Sequence, residues 1–150
     1  MKVEVAWKGK MRFEGSNENN ALVTVMDSHD PAIEGESGGQ TPKEMFLQAL
    51  AGCSGMDVIH ILKRMRAELP DRFVMEVSGP TAEKDPQVFL SLEVTYRVDG
   101  PTEESKLLKA VRMSQDTYCS VSAMIRKACP IRYRVISNGR VIHLEDIPAG

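Results

Sequence analysis

The sequence predicts an α+β fold in which antiparallel sheets surround long central helices. A capping box, Thr41-Pro42-Lys43-Glu44, precedes a proline-free segment that runs to about residue 68, and this pattern predicts one long helix. Segments in which apolar and polar residues alternate stand before and after this helix, and such alternation is typical of half-buried strands. The Asn138-Gly139 pair between two late segments favours a tight hairpin turn. The predicted order is three strands, a long helix, two strands, two helices and two strands, in a single domain of residues 1–150.

The first 40 residues contain three short predicted strands and a loop. Apolar residues alternate with polar ones from residue 3 to residue 7, and residues 11–15 form a second strand, so we expect these two strands to pair as a hairpin. A third strand covers residues 22–26. Residues 27–40 are rich in Asp, Ser, Gly and Pro, which is typical of a loop.

The long helix is apolar on nearly every side between residues 45 and 56. A helix that is apolar all round is buried, and the apolar surface exceeds what one small sheet covers, so we expect a homodimer. Small residues surround Cys53, including Gly52 and Gly55, and each glycine costs a helix about 1 kcal/mol relative to alanine. This cost indicates that another segment or a ligand approaches the helix closely.

The second half of the chain alternates between strands and shorter helices. The predicted elements are strands at 73–77, 88–98, 131–136 and 141–144, and helices at 102–113 and 117–128. Thr102 and Asp116 are the expected N-caps of the two helices. The first two of these strands are expected to pair as an antiparallel hairpin with a wide loop.

Composition and charge exclude several classes of protein. The chain has 150 residues, 42% hydrophobic and 27% charged, with a net charge of -2. This balance argues against nucleic acid or an anionic membrane as the main partner, because both require a basic face. The sequence has no run of 18 apolar residues and no apolar stretch at its N-terminus, so we expect neither a transmembrane helix nor a signal peptide. A reducing cytoplasm is then the expected location.

Three cysteines are the candidate reactive residues: Cys53, Cys119 and Cys129. Cys53 lies in the middle of the long helix, where it is either a packing residue or a nucleophile. Cys119 is the third helical residue if Asp116 is the N-cap, and a helix N-terminus favours a thiolate, although the Asp116 carboxylate opposes that effect. Packing is the alternative role for Cys119. Cys129 precedes Pro130 at a helix end, and we interpret it as a bystander.

Other site chemistries have weaker support in the sequence. The cysteines and His29, His60 and His143 lack the close spacing of common zinc motifs, so we expect no metal site and no cofactor. His60 follows Cys53 by seven residues, about 10 Å along a helix, which is too far for a direct base. No dinucleotide-binding, P-loop or serine-hydrolase motif is present.

Two stretches of the sequence resemble the osmotically inducible protein C and organic hydroperoxide resistance (OsmC/Ohr) superfamily. One is Thr41-Pro42-Lys43-Glu44-Met45-Phe46 with Ala49-Leu50-Ala51-Gly52-Cys53-Ser54-Gly55-Met56-Asp57-Val58 and Ile61-Leu62-Lys63-Arg64. The other is Tyr118-Cys119-Ser120-Val121 leading to Ile125. The likeness covers essentially the whole chain and is greatest to a less characterised OsmC-like branch.

The resemblance implies an intertwined homodimer with long helices at its centre and active sites at the subunit interface. It implies that Cys53 attacks an organic hydroperoxide and becomes a sulfenic acid, and that Cys119 resolves it as a disulfide, which a dithiol reductant reopens. The superfamily's peroxidases place a glutamate directly after the proline, where this chain has Lys43, with Glu44 one residue later. They also use an arginine before the helix, a role for which Arg12 or Lys10 is available here.

The sequence therefore leaves two functions open. The first is a thiol peroxidase with Cys53 and Cys119 as catalytic residues, assisted by Glu44 and Arg12. The alternative is a non-catalytic OsmC-like protein that binds a small hydrophobic ligand at the dimer interface. The pKa of Cys53 distinguishes them, because a thiol without a nearby cation in an apolar helix is unreactive.

Overall fold

The structure is a computed structural model that describes residues 1–150. Residues 1–46 and residues 47–150 form two compact units. Helix α1, Pro42–Arg64, begins in the first unit and continues in the second. Its bounds agree with the predicted helix at the N-terminus and end about four residues earlier than predicted.

The first unit is built on a three-stranded antiparallel sheet. Its strands are β1 (Val3–Trp7), β2 (Phe13–Asn17) and β3 (Thr24–Met26), in the order β1-β2-β3. The predicted N-terminal hairpin is confirmed, with Trp7 opposite Phe13. After β3 the buried Asp27 accepts a hydrogen bond from the amide of Gly38 at 2.9 Å, and this contact folds the loop back toward the start of α1.

The second unit contains a four-stranded sheet in the order β4-β5-β6-β7. The strands are β4 (Arg72–Ser78), β5 (Leu92–Asp99), β6 (Ile131–Ser137) and β7 (Arg140–Ile147). The predicted β4–β5 and β6–β7 hairpins are confirmed. The predicted α+β class with largely antiparallel sheets is confirmed, and the one departure is that β5 and β6 run parallel. Parallel neighbours need a long crossover, and residues 100–130 supply it with helices α2 (Glu104–Met113) and α3 (Ser120–Ile125).

One hydrophobic cluster joins the helices to this sheet. Its buried members come from α1, β5, the crossover and β6, and they include Leu50, Val58, Leu62, Val94, Tyr96, Leu107, Val111, Ile131, Tyr133 and Val135. Each of these side chains is almost fully removed from solvent. The cluster fixes α1 and the crossover against the same sheet, and this arrangement determines where the cysteines lie.

Helix α1 is buried on one face only within a single chain. A methyl group added to Gly55 would lie 3.3 Å from Cγ of Met75 in β4, whereas nothing lies within 4 Å of the same position on Gly52. Met56 is 71% exposed. The expectation that the helix is buried all round is therefore wrong for the isolated chain, although the close approach expected from its glycines is confirmed at Gly55.

By length and composition alone, α1 is apolar enough to cross a membrane, with a mean hydropathy of 1.4 over 18 residues. This average includes polar residues such as Gln48 and Asp57, and it does not contradict the expectation of no transmembrane helix, which rests on the lack of an uninterrupted run of 18 apolar residues. The core helix of a soluble protein meets the same criterion. Leu50, Val58 and Leu62 of α1 belong to the core cluster, as in such a helix.

Candidate functional site

Cys53, Asp57 and Cys119 converge at one point of the second unit. The Cys53 sulfur, a carboxylate oxygen of Asp57 and the Cys119 sulfur all lie within 4.8 Å of one another. Residues four apart share a face of a helix, so α1 presents Cys53 and Asp57 side by side. Cys53 and Cys119 thus lie close together, as expected from the sequence, and Asp57 lies beside them.

Cys119 is held by an unusual turn rather than by the predicted helix. A π-helical turn, Ser114–Tyr118, follows α2, and Cys119 leaves it in an extended conformation as the N-cap of α3. Its sulfur accepts a hydrogen bond from the amide of Ser122 at 3.4 Å. The prediction that Asp116 caps this helix is wrong, because the helix begins three residues later and the turn holds Asp116 in its interior.

The Cys119 thiol is buried, and Cys53 is half-buried. The pKa of Cys119 is raised to about 12, chiefly by burial and to a smaller extent by the neighbouring Cys53 and Asp57, against the lowering effect of the hydrogen bond from the Ser122 amide. Desolvation and nearby negative charge both disfavour the thiolate. At neutral pH Cys119 is therefore a protonated thiol that can donate a proton.

A chain of buried polar side chains positions both cysteines. The Ser54 hydroxyl, next to Cys53, lies 2.5 Å from the Tyr96 hydroxyl of β5. The side-chain amide of Gln115 donates to both oxygens, at 3.0 Å and 2.5 Å, and its carbonyl accepts from the Ser122 hydroxyl at 2.8 Å. These bonds connect α1, β5, the π-helical turn and α3, so they hold the elements that carry the two sulfurs.

Asp57 is tied to the same network through Ser114. The Ser114 hydroxyl lies 3.0 Å from the Ser54 hydroxyl and donates to Oδ2 of Asp57 at 3.2 Å. No buried side-chain nitrogen or oxygen in residues 1–150 lacks a hydrogen-bond partner. Burial raises the pKa of Tyr96 to about 12, so its hydroxyl remains protonated and available as a donor.

Sequence reasoning missed Asp57 and most of this network. Asp57 stands four residues after Cys53, and this spacing could have marked it as a neighbour on one helical face. Ser54 is a polar residue within an apolar stretch, which indicates a buried partner. Nothing in the sequence around Tyr96, Ser114 or Gln115 identified them, because they meet only through the tertiary fold.

The other predicted site residues have well-defined local roles. The Glu44 carboxylate accepts hydrogen bonds from the Thr41 amide at 2.7 Å and the Thr41 hydroxyl at 3.0 Å, and the Glu44 amide donates to Thr41 Oγ1 at 3.3 Å. The predicted capping box is thus confirmed. Arg12 forms an ion pair with Glu14 at 2.9 Å. Arg12 and Glu44 belong to the first unit, and their catalytic roles stay predictions.

Cys129 lies apart from the converging trio. It is buried in the hydrophobic cluster, and burial raises its pKa. This placement agrees with the interpretation of Cys129 as a bystander in the core.

Two clefts open beside the trio on α1. A cleft of about 310 Å³ is lined by Asp57, by apolar side chains including Ile61, Met65 and Met113, and by the basic residues Arg64 and Lys109. A groove of about 480 Å³ runs along the other side of the helix past Gly52, Met56 and Met75. Neither sulfur lines either opening.

Comparisons with known proteins agree on one family. The sequence profile of the OsmC-like proteins matches residues 35–134. Protein YhfA of Escherichia coli (strain K12) is 29% identical over 136 residues, which cover 89% of this chain and 95% of that protein. The crystal structure of a hypothetical protein from Aquifex aeolicus VF5 superposes with a TM-score of 0.75 and 29% identity, covering 91% of this chain and 96% of that one.

A more distant structure has a described role. The organic hydroperoxide resistance protein OsmC from Legionella pneumophila superposes with a TM-score of 0.63 at 13% identity, covering 91% of this chain and 94% of that one. At this identity the likeness concerns the fold alone.

Proposed function

Since the chain belongs to the OsmC-like protein family, we propose that it is a thiol-dependent peroxidase that reduces organic hydroperoxides. In this proposal Cys53 is the peroxidatic cysteine and Cys119 is the resolving cysteine. The family supports a peroxide-related redox role in general. The observation that carries the specific proposal is the convergence of the two sulfurs within 4.8 Å, since a resolving thiol must reach the sulfur that has been oxidised.

The proposed reaction has two steps on the protein. The Cys53 thiolate attacks the terminal oxygen of the hydroperoxide, the O–O bond breaks, and the alkoxide leaves as an alcohol after taking a proton. Cys53 is then a sulfenic acid. The Cys119 sulfur attacks the Cys53 sulfur, the S–O bond breaks, water leaves, and a disulfide forms. An external dithiol reduces this disulfide and becomes a disulfide itself.

Burial supports this order of roles. Cys53 on α1 is half-buried, so part of it remains exposed to solvent. Cys119 is buried, and its pKa is raised to about 12. The first step needs a thiolate that a peroxide can reach. The second step needs a proton acceptor for Cys119, and we assign that role to the Asp57 carboxylate, an oxygen of which lies within 4.8 Å of the Cys119 sulfur.

We also propose the assembly and setting in which this chemistry occurs. Exposed apolar side chains lie on each unit, Trp7 at 66% in the first and Met56 at 71% in the second, and surfaces of this kind mark protein interfaces. They support a homodimer in which each single-domain chain contributes its α1 helix. A reducing cytoplasm keeps the thiols ready for the cycle.

Arg12 is proposed as the cation that favours the Cys53 thiolate. It is the only arginine before residue 64, and a nearby cation lowers a thiol pKa. An Arg12→Ala variant is then expected to slow the first step, while an Arg12→Lys variant retains part of the rate. An unchanged rate in Arg12→Ala would remove Arg12 from the site.

The decisive experiment is consumption of an organic hydroperoxide in the presence of a dithiol. We expect Cys53→Ser to abolish turnover and Cys119→Ser to stop after one turnover with over-oxidation of Cys53. Serine is a favoured N-cap, so Cys119→Ser removes the sulfur while the start of α3 is retained. Cys129→Ala is the matched control and is expected to keep full activity.

Two results would contradict the proposal. One is a wild-type protein that consumes no hydroperoxide although its three thiols are reduced. The other is mapping of the oxidised protein that finds a disulfide through Cys129 instead of a Cys53–Cys119 link. The first result would favour the ligand-binding alternative, for which the groove beside Gly52 and Met56 is the candidate site.

A further inference from the structure

We propose that Cys53, Asp57 and Cys119 form a binding site for a thiophilic divalent cation of the Zn²⁺ class. Two thiolates and one carboxylate would supply three ligands, and a water molecule would complete a tetrahedral set. This inference does not depend on the proposed peroxidase activity, because it concerns the affinity of the reduced protein for metal.

The spacing of the three ligand atoms suits zinc. All three lie within 4.8 Å of one another. Tetrahedral zinc with bonds of about 2.3 Å to sulfur and about 2.0 Å to oxygen places such ligand atoms roughly 3.5–3.8 Å apart. The ligand atoms must therefore approach one another by about 1 Å to reach the zinc spacing, and side-chain rotation can supply this movement without a change in the backbone.

The elements that carry the ligands are fixed by the fold. Cys53 and Asp57 are one helical turn apart on α1, the separation at which helices commonly present a pair of metal ligands. Cys119 comes from the N-cap of α3, which the core cluster and the Ser54–Tyr96–Gln115 hydrogen bonds hold against α1. The site therefore combines two ligands from one rigid element with one from another.

Two of the three ligands already have oriented partners behind them. Oδ2 of Asp57 accepts from the Ser114 hydroxyl at 3.2 Å, and the Cys119 sulfur accepts from the Ser122 amide at 3.4 Å. Both serines are fully buried. Hydrogen bonds of this kind orient metal ligands and tune their basicity, and here they leave one carboxylate oxygen and the sulfurs facing one another.

Charge is the third argument. When ionised, the trio carries three negative charges at one point, and Asp57 forms no ion pair with a lysine, arginine or histidine of its own chain. A partly buried carboxylate beside two thiols is stabilised by a cation. Thiolates select zinc and other soft metals over Mg²⁺ or Ca²⁺, which prefer oxygen ligands.

Metal binding and oxidation would exclude each other. A zinc ion bound to both sulfurs occupies the electron pairs that attack a peroxide and keeps the sulfurs from joining as a disulfide. The bound form is then a protected, inactive state of the same thiols. Metal release would return the pair to the reduced, reactive state.

The test uses the reduced full-length chain under anaerobic conditions. Co²⁺ titration is expected to give near-ultraviolet thiolate-to-cobalt absorption and intense visible bands of four-coordinate cobalt, saturating at one ion per chain and displaced by Zn²⁺. Cys53→Ser and Cys119→Ser are each expected to lose about half of the near-ultraviolet band, since each removes one of two thiolates. Asp57→Asn is expected to keep that band and bind Zn²⁺ at least tenfold more weakly.

Matched controls separate metal binding from folding and from peroxidase activity. Cys129→Ala is expected to bind as the wild type does, and circular dichroism of each variant without metal checks the fold. Turnover is measured separately in the presence of a chelator, so an inactive protein that still binds metal leaves this inference standing. Absence of the thiolate-to-cobalt band in the wild type, or its survival in the Cys53→Ser/Cys119→Ser double variant, would overturn it.

Discussion

The hydroxyl groups of Ser54 and Tyr96 lie 2.5 Å apart in the interior and tie β5 to the residue that follows Cys53. Neither group has access to water, since both residues are fully buried. The side chain of Gln115 donates to both oxygens. The position of Cys53 on α1 is thus coupled to the centre of the sheet.

Removal of the Tyr96 hydroxyl should destabilise the protein. In Tyr96→Phe the Ser54 hydroxyl and the Gln115 amide each lose a buried partner, and we expect a loss of about 1–3 kcal/mol in the free energy of unfolding. Urea denaturation measures it. Tyr118→Phe is the matched control, because Tyr118 is 52% exposed, and surface changes of this kind stay within about 0.5 kcal/mol. Equal effects for the two variants would contradict the role of the network.

Alkylation should distinguish Cys53 from Cys119 in the native protein. At pH 8 a group with a pKa of about 12 is ionised in only about one molecule in ten thousand, and Cys119 is also buried. Iodoacetamide should therefore modify Cys53 first, and the Cys119 rate should rise with pH without a plateau below about pH 11. Peptide mapping over time tests this order. Modification of Cys119 as fast as that of Cys53 at pH 8 would show that the Cys119 thiol is accessible and ionised.

The two glycines on either side of Cys53 should respond oppositely to alanine. In Gly55→Ala the new methyl group lies 3.3 Å from Cγ of Met75, and such crowding is expected to cost about 1–3 kcal/mol, in excess of the gain in helix propensity. The Gly52 position is open within the chain, so Gly52→Ala should stabilise an isolated chain by up to about 1 kcal/mol.

Denaturation of the two alanine variants, together with light scattering, separates packing within the chain from packing between chains. If Gly52 lies in the proposed dimer interface, Gly52→Ala should weaken the dimer while Gly55→Ala should not. Stabilisation of the chain by Gly55→Ala would show that Met75 moves aside freely.

Glu44 should stabilise the folded protein through the helix cap, and this stabilisation should be lost at low pH. Hydrogen bonds from the Thr41 amide and hydroxyl lower the pKa of Glu44 from its usual 4.5. A lowered pKa means that the stabilisation is complete above the unfolded value and is lost as the pH falls through the folded value. The difference in melting temperature between wild type and Glu44→Gln should therefore be largest near neutral pH and shrink as the pH falls through the folded-state pKa, which lies below 4.5.

The peroxide reactivity of Glu44→Gln tests the second possible role of this residue. A purely capping Glu44 predicts an unchanged rate of Cys53 oxidation. An unchanged melting temperature with a strongly reduced rate would instead place the Glu44 carboxylate in the catalytic site.

Sequence reasoning succeeded where a feature depends on neighbouring residues. The Thr41-Glu44 capping box and the Asn138-Gly139 hairpin follow from local hydrogen bonding and turn geometry, and the structure has both. The predicted start of α3 was wrong because a π-helical turn precedes the helix. In that turn Ser114 and Gln115 form hydrogen bonds to Ser54 and Tyr96, which are far away in sequence. The parallel β5–β6 pairing likewise depends on how the crossover packs on the sheet, and Asp57 was missed because its neighbour Cys119 belongs to that crossover.

The crossover between parallel strands has a consequence for how the chain acquires its chemistry. Cys53 and Cys119 are separated by 66 positions, and one of them lies in the connection that joins β5 to β6. Bringing two residues so far apart in sequence together costs loop-closure entropy, which the packing of the crossover on the sheet must offset. A nascent or partly unfolded chain thus contains three independent thiols and no paired site. The proximity of Cys53 and Cys119 therefore indicates that the parallel β5–β6 crossover has folded.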